Sequence, residues 1–364
     1  MFVESRVTPQ AVQRLALVPC TLIVVTSCAR TPEPAPVEPT STPLVESSIA
    51  AEPESTAPEE ITVASAPSPE SKPPAAPSLS DGSVISDCEA SVANMACVPG
   101  GSFVVGSDEG PENARPAHPV ELQTFYMDLF EVTYKEYKDC FKSGKCPKGG
   151  PFYMDFNRKH QPIAGVTWFG ARTYCEVMGK GLPTEAQWEA AARGPQGETY
   201  PWGNEAATCA NSVIKDGRGR SCGVEKRGTE GWKGRPFIVG ARDPGRYGLY
   251  DMAGNNWEYV ADWMSTDYAE CGDACLGVDP KGPCGGDDAC EGHGEKIVKG
   301  GSWYWTASKA VGYYRRPQPP KNRPFHHFGF RCAATLEQAA ALDGKPLPDN
   351  APTEGMSNAD AKLR

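Results

Sequence analysis

Cysteine is the residue type with the most chemistry to offer in this chain: 14 of 364 residues, twelve of them between Cys88 and Cys332. Thiolates bind zinc or copper and carry redox chemistry, whereas paired thiols in an oxidising compartment close a disulfide framework. Local spacing pairs Cys88 with Cys97, Cys140 with Cys146, and Cys209 with Cys222. The cluster Cys271, Cys275, Cys284 and Cys290 has two readings, a zinc site or two local bridges of open connectivity; an exported setting favours the bridges. Its acidic neighbours Asp273, Asp279, Asp287 and Asp288 suit a solvated hairpin better than a cation site. Histidine offers little. None of His118, His160, His293, His326 and His327 forms a helical i, i+3 or i, i+4 pair, and the adjacent His326 and His327 point apart in a loop.

The N-terminus reads as an address. Arg6 and Arg14 precede an apolar stretch over residues 15–25, too short for a stop-transfer helix. Its ending, Val25-Thr26-Ser27-Cys28, resembles a bacterial lipobox. That resemblance implies removal of residues 1–27 as a signal peptide, lipidation of Cys28, and, with Ala29 next, an outer-membrane lipoprotein facing the periplasm or the cell surface. Residues 28–86 carry many Pro, Glu, Ser and Thr without aromatic residues, so they cannot bury enough apolar surface to offset chain entropy and read as a disordered tether. Residues 87–335 form the folded block, and residues 336–364 read as a flexible tail. The net charge of -10 excludes nucleic acid as the main partner. Outside the N-terminus no apolar run approaches the ~18 residues of a membrane span, which excludes a multi-span protein.

Three helices and few strands must position the block. Ser102 to Val105 reads as a strand. Thr133 caps a helix through Phe141 that closes at Gly144. Thr167 caps a second, with Trp168, Ala171, Tyr174, Cys175 and Met178 on one face. Thr184 and Gln187 form a capping box for a third that turns Trp188, Ala191 and Ala192 inward and stops at Gly194. Beyond Pro201 helical period is lost for a hundred residues, so short strands and loops build the second half.

Several motifs in series carry a family resemblance. Met95-Ala96-Cys97-Val98-Pro99-Gly100-Gly101-Ser102-Phe103, Phe125-Tyr126-Met127-Asp128 with Glu131-Val132-Thr133, and Gly181-Leu182-Pro183-Thr184-Glu185-Ala186-Gln187-Trp188-Glu189 come first. Tyr200-Pro201-Trp202-Gly203-Asn204 and Gly248-Leu249-Tyr250-Asp251-Met252-Ala253-Gly254-Asn255-Asn256-Trp257-Glu258 follow. Lys299-Gly300-Gly301-Ser302-Trp303 and Gly329-Phe330-Arg331-Cys332 close the series. Together they resemble the formylglycine-generating enzyme (sulfatase-modifying factor) family over residues 93–334. The resemblance implies a compact, loop-rich α+β fold related to C-type lectins, with Cys175 bonded to Cys332. It also implies two structural calcium sites. One maps onto Asn211, Ser212, Glu230 and Trp232, the other onto the Asp251 and Glu258 carboxylates with the Gly254 and Asn256 carbonyls. Hard anionic oxygens and backbone carbonyls in a tight turn suit calcium, although Asp251 by itself would read as a turn cap.

The catalytic positions depart from the family. Its enzymes hold copper on two cysteines after the Gly-Gly-Ser motif, because soft thiolates select Cu(I). Those positions are Trp305 and Ala310 here, so copper is not expected. Ser302 matches the active-site serine but lacks a base. The iron-dependent relatives use a histidine triad that this sequence does not supply. Two functional classes remain. One is a binding or assembly module of the envelope whose groove (Trp303, Tyr304, Trp305, Tyr313, Tyr314, Arg315 and Arg316) takes a protein or glycan ligand through aromatic faces and guanidinium forks. Any one of these residues has an alternative as core. The other class is an oxidoreductase with altered copper or non-haem iron chemistry.

Overall fold

Short strands rich in Val, Phe and Tyr alternate with capped helices in the first half of the folded block. Met95–Val98 (β1) and Gly101–Val105 (β2) are followed by His118–Leu122 (β3) and Phe125–Asp128 (β4). Helices Tyr134–Lys142 (α1), Trp168–Val177 (α2) and Glu185–Arg193 (α3) come next. Thr133, Thr167 and Thr184 cap them through their hydroxyls, and Glu136 and Gln187 complete capping boxes on α1 and α3. The second half holds Trp257–Trp263 (β5), the single turn Tyr268–Cys271 (α4), Gly277–Val278 (β6), Lys296–Lys299 (β7) and Arg316–Gln318 (β8). Phe328–Gly329 (β9), Ala333–Thr335 (β10) and Leu336–Leu342 (α5) end it. The computed structural model describes residues 77–228, 231–322, 326–347 and 351–352. The signal segment 1–27 with Cys28, the tether up to residue 76, Glu230 and the tail beyond 352 lie outside the described residues.

Three small sheets result, ordered β1-β4-β10, β2-β3-β6 and β8-β7-β5-β9. This is the α+β, loop-rich architecture expected. Trp188 on α3 is fully buried among Val98, Phe103, Leu122, Phe125 and Met127. On the other side, Trp168 and Tyr174 of α2 pack with Trp257, Tyr259 and Phe330. Lys296 is the unusual core member. Its ammonium lies 3.9 Å and 4.0 Å from the ring centres of Trp168 and Trp263 and donates to the carbonyls of Ala261, Gly286 and Asp287. Burial pushes its pKa down to about 7, yet three carbonyls and two ring faces replace the lost water.

All twelve cysteines of the block form disulfides. The spacing-based pairs Cys88–Cys97, Cys140–Cys146 and Cys209–Cys222 are present, and Cys175 on α2 bonds Cys332 beside β10. Cys271–Cys275 and Cys284–Cys290 fix the connectivity left open. A zinc site on those four is thereby corrected: a disulfide sulfur has no thiolate charge to offer a metal.

Two boundaries also need correction. The end of the supposed tether belongs to the domain, because Leu79 is buried, Ser80 N donates to Glu121 at 2.7 Å, and Thr124 donates to the Ser86 carbonyl. The supposed tail begins as α5, with its own Thr335–Gln338 capping box. Its Ala339 is buried against Met95, Tyr126 and Ala334. Leu336 packs, partly buried, against the same cluster, so the face joins one large apolar residue to small alanines, too sparse a pattern to mark it in the sequence.

Candidate functional site

The Gly-Gly-Ser turn leads from β7 into the loop that holds the two family cysteine positions. Gly301 has φ +78°, and a Cβ there would stand 2.8 Å from Ala310 Cα, so only glycine lets these strands of loop touch. Ala310 is fully buried beside Tyr200, Ile214 and Ala253. Ser302 is fully buried too; its hydroxyl accepts only a long bond from Tyr304 N at 3.4 Å, and its carbonyl accepts from Trp305 N. Trp305 is half-buried against the cluster of Trp257 and Phe328.

The residues proposed as one groove separate into three environments. Trp303 is core: it is 1% exposed, packs edge-on to Phe156, and a Cβ at Gly234 would strike its ring at 2.4 Å. Arg315 is also interior, with Nε 2.9 Å from Glu185 and its guanidinium over the Tyr268 ring. Both are corrections to a ligand-binding role, since a side chain enclosed by its own fold has no surface left for a partner. Tyr313 lies under the Arg193 guanidinium, and Tyr314 takes a hydrogen bond from Lys309.

Tyr304, Trp305 and Arg316 remain together. Arg316 lies 5.4–5.5 Å from the ring centres of Trp257, Trp305 and Phe328. Tyr304 packs in tilted and edge-on contacts 5.3–5.7 Å from Trp305, His326 and His327, and Arg220 covers it at 3.7 Å from the ring centre. Burial, followed by neighbouring cations, pushes His326 to about 4 and His327 to about 3, so both are neutral rings at pH 7. The result is a half-buried aromatic plate with two guanidiniums. Arg220 and the imidazoles were not placed here by the sequence reading. Some eighty residues separate Arg220 from Tyr304, and no local period links them.

Around Asp251 the charges are unbalanced. Arg331 grips Glu258 with two bonds of 2.6 and 2.7 Å, and Trp188 Nε1 donates to the same carboxylate at 2.8 Å. Glu131 takes Asn255 Nδ2 and Asn256 N; Asp251 Oδ2 takes Gly240 N. Three buried carboxylates therefore face the Arg331 guanidinium, with Arg242 a second cation near Asp251. Burial, then Asp251 and Glu258, push Glu131 well above the usual carboxylate range, and burial raises Asp251 to about 6. Asn256 Oδ1 is buried without a partner. Asn256 Oδ1 is a spare oxygen here, but both Glu258 oxygens are taken by Arg331 and Trp188, and among the described residues no group of three carboxylate, histidine or cysteine side chains is arranged to hold a metal ion. The other mapped site does not fit as well. Asn211 Oδ1 accepts from Thr208 N, the Trp232 carbonyl accepts from Lys226 N, and Trp232 is 69% exposed. The Ser212 carbonyl abuts the Cys222 sulfur, beside a pocket lined by six cationic side chains.

Mixed helices and small sheets, a buried Gly-Gly-Ser turn and a six-disulfide framework define a class of domain that comparisons identify. Residues 81–336 match the sulfatase-modifying factor enzyme 1-like domain, and the chain belongs to that family. It is 30% identical to the formylglycine-generating enzyme of Thermomonospora curvata, over 66% of this chain and 93% of that one. It is 26% identical to the inactive C-alpha-formylglycine-generating enzyme 2 of Mus musculus, over 70% of this chain and 88% of that one. The structure of PvdO from Pseudomonas aeruginosa shares the fold, with a TM-score of 0.54 at 22% identity over 69% of this chain and all of that one.

The burial pattern makes a stability prediction. Trp303→Ala will cost about 3–5 kcal/mol in urea unfolding. Arg315→Ala will cost a similar ~3–5 kcal/mol by taking the guanidinium from buried Glu185, whose other cation, Lys299 at 3.3 Å, is shared with Glu189. Trp305→Ala will cost much less, about 1–2 kcal/mol, because its ring is only half covered. Equal losses at Trp303 and Trp305 would contradict the assignment of one to core and the other to surface.

Proposed function

We propose that this chain is an exported, lipid-anchored binding or assembly module of the cell envelope, built on a formylglycine-generating fold that has lost the copper chemistry. The observation that carries the reading is the pair Trp305 and Ala310 in place of the metal-binding cysteines. An indole and a methyl group supply no thiolate, and among the described residues every cysteine is in a disulfide. A relative matched over 88% of its length carries the word inactive in its name, which supports a non-catalytic branch for this chain as well.

The plate of Tyr304, Trp305, Arg220 and Arg316 is the recognition surface in this reading, for an envelope protein or a glycan. Rigid aromatic faces bind with little loss of side-chain entropy, and guanidiniums add directed hydrogen bonds. Trp305→Ala will weaken capture of the ligand from envelope extracts by about 2 kcal/mol, near thirtyfold, if the indole is the anchor. Undiminished capture by a folded Trp305→Ala chain would place recognition elsewhere.

Calcium is the metal that this reading assigns, at Asp251, Gly254, Asn256 and Glu258, where it would offset the carboxylate excess and fix the turn before β5. Its effect is structural. Calcium will raise the melting temperature of chelator-treated protein, by mass action on the native state, and Asp251→Ala will remove most of that rise. A melting temperature indifferent to calcium would count against the site. For the anchor, Cys28→Ala will move the chain from the membrane fraction to the soluble one; continued membrane fractionation would refute lipidation.

A further inference from the structure

Arg316 stands on β8 opposite Val298, which lies opposite Tyr259 on β5; two residues back, Trp257 lies opposite Phe328 on β9. Side chains in register across a sheet share a face, so Arg316 shares one with Tyr259, Trp257 and Phe328. The rings of Trp257, Phe328 and Trp305 surround its guanidinium at 5.4–5.5 Å. Its Nε is buried, yet among the described residues the guanidinium makes no hydrogen bond and no ion pair. Three arginines buried elsewhere are each paired: Arg193 with Glu189, Arg315 with Glu185, and Arg331 with Glu258. Burial lowers the pKa of Arg316, opposed only by Tyr314, and the group stays charged at neutral pH. A half-buried cation without an anion is costly to hold.

Its neighbours are donors as well. Trp257 Nε1, Trp305 Nε1 and Gln318 Nε2, the last two residues on along β8, are buried without an acceptor. Trp257 and Gln318 are 0% and 3% exposed. Tyr314 adjoins Trp257 and Tyr304 adjoins Trp305, and their hydroxyls accept from Lys309 at 2.7 Å and Arg220 at 2.5 Å. Neither of these cations forms an ion pair among the described residues. Asp216 follows Lys215, whose N–H bonds the Trp305 carbonyl, but its carboxylate is taken by Arg218. Three cations are thus grouped on one aromatic surface with no carboxylate bonded to any of them.

We infer that the Arg316 fork takes a carboxylate from an acidic peptide segment of the partner, whose flanking residues lie on Trp305 and Tyr304. The inference rests on the plate being the recognition surface and adds the chemistry that it selects. A planar carboxylate meets a guanidinium in two parallel N–H···O bonds, and one fork balances one negative charge. A phosphate dianion calls for a second cation at the same point, and Lys309 and Arg220 already donate to tyrosines. A glycan fits less well, because sugar hydroxyls carry hydrogens that need acceptors and this face offers N–H groups. Apolar residues flanking the acid cover the indole and exclude water from the ion pair, which strengthens it.

A peptide array probed with the full chain tests it. Its spots carry short apolar peptides with a central Asp, Glu, phosphoserine, Asn or Gln, beside glucuronate-terminated oligosaccharides. The expected result is retention on the Asp and Glu spots about tenfold above the Asn and Gln spots. Arg316→Gln should bring that ratio close to one, whereas Trp305→Ala should lower retention on all four alike. Should Arg316→Gln unfold, the native chain is read in ~100 mM acetate against the same concentration of chloride, which screens equally. Acetate should then lower retention on the Asp and Glu spots alone. An acid preference unchanged in folded Arg316→Gln, or indifferent to acetate, would overturn the inference, while a loss in Trp305→Ala would keep the plate as the recognition surface. Retention indifferent to both substitutions would end both readings. A preference for phosphoserine, retention on the oligosaccharides alone, or no retention at all would likewise overturn the carboxylate assignment.

Discussion

One guanidinium holds the centre of the molecule. Arg331 is fully buried and makes two bonds to Glu258 on β5, while its remaining hydrogens go to the carbonyls of Asp128, Leu129 and Tyr250. Glu258 in turn receives Trp188 from α3. The next residue, Cys332, is bonded to α2. The end of β4, the turn before β5, helices α2 and α3 and the segment before the last strand therefore meet at a single ion pair. Such a pair is strongly destabilising to break, since removing either partner leaves the other buried and uncompensated by ~3–5 kcal/mol. It also fixes geometry: the Asp251 turn and the Gly-Gly-Ser turn can each take only the position that this junction allows.

That constraint separates the scaffold from the chemistry it can host. The junction involves Arg331, Glu258, Trp188 and Asp128, none of which touches the positions of Trp305 and Ala310. In the function proposed here, the loop exchanges thiolates for an indole and a methyl group while the framework stays intact. Ala310 fills a small buried site under Gly301, and Trp305 extends outward to join Tyr304, Arg220 and Arg316. What the sequence change adds is aromatic surface, and what it removes is every soft ligand on that loop.

Much of this was legible from residue types. Threonine caps with Glu or Gln three residues on marked α1 and α3, because that pairing satisfies otherwise orphaned N–H groups locally. Close cysteine pairs were legible for the same reason: short loops bring their thiols together. The environments of Trp303 and Arg315 were not legible. Aromatic and cationic types suit a ligand groove and a buried network equally, and only the fold brings Glu185, 130 residues distant, to Arg315. At the C-terminus, α5 packs through Leu336 and the small Ala339, a pattern too sparse to mark a buried face.

The central claim is that this family fold persists here without a copper-binding thiolate pair. The most direct measurement is a Cu(I) competition titration on the full chain with Cys20 and Cys28 replaced by serine, under non-reducing conditions, followed by mass analysis of a sulfatase-type cysteine peptide incubated with the same protein. The account predicts no stoichiometric Cu(I) site and an unmodified peptide cysteine. One equivalent of tightly bound Cu(I), together with conversion of that cysteine to formylglycine, would contradict it.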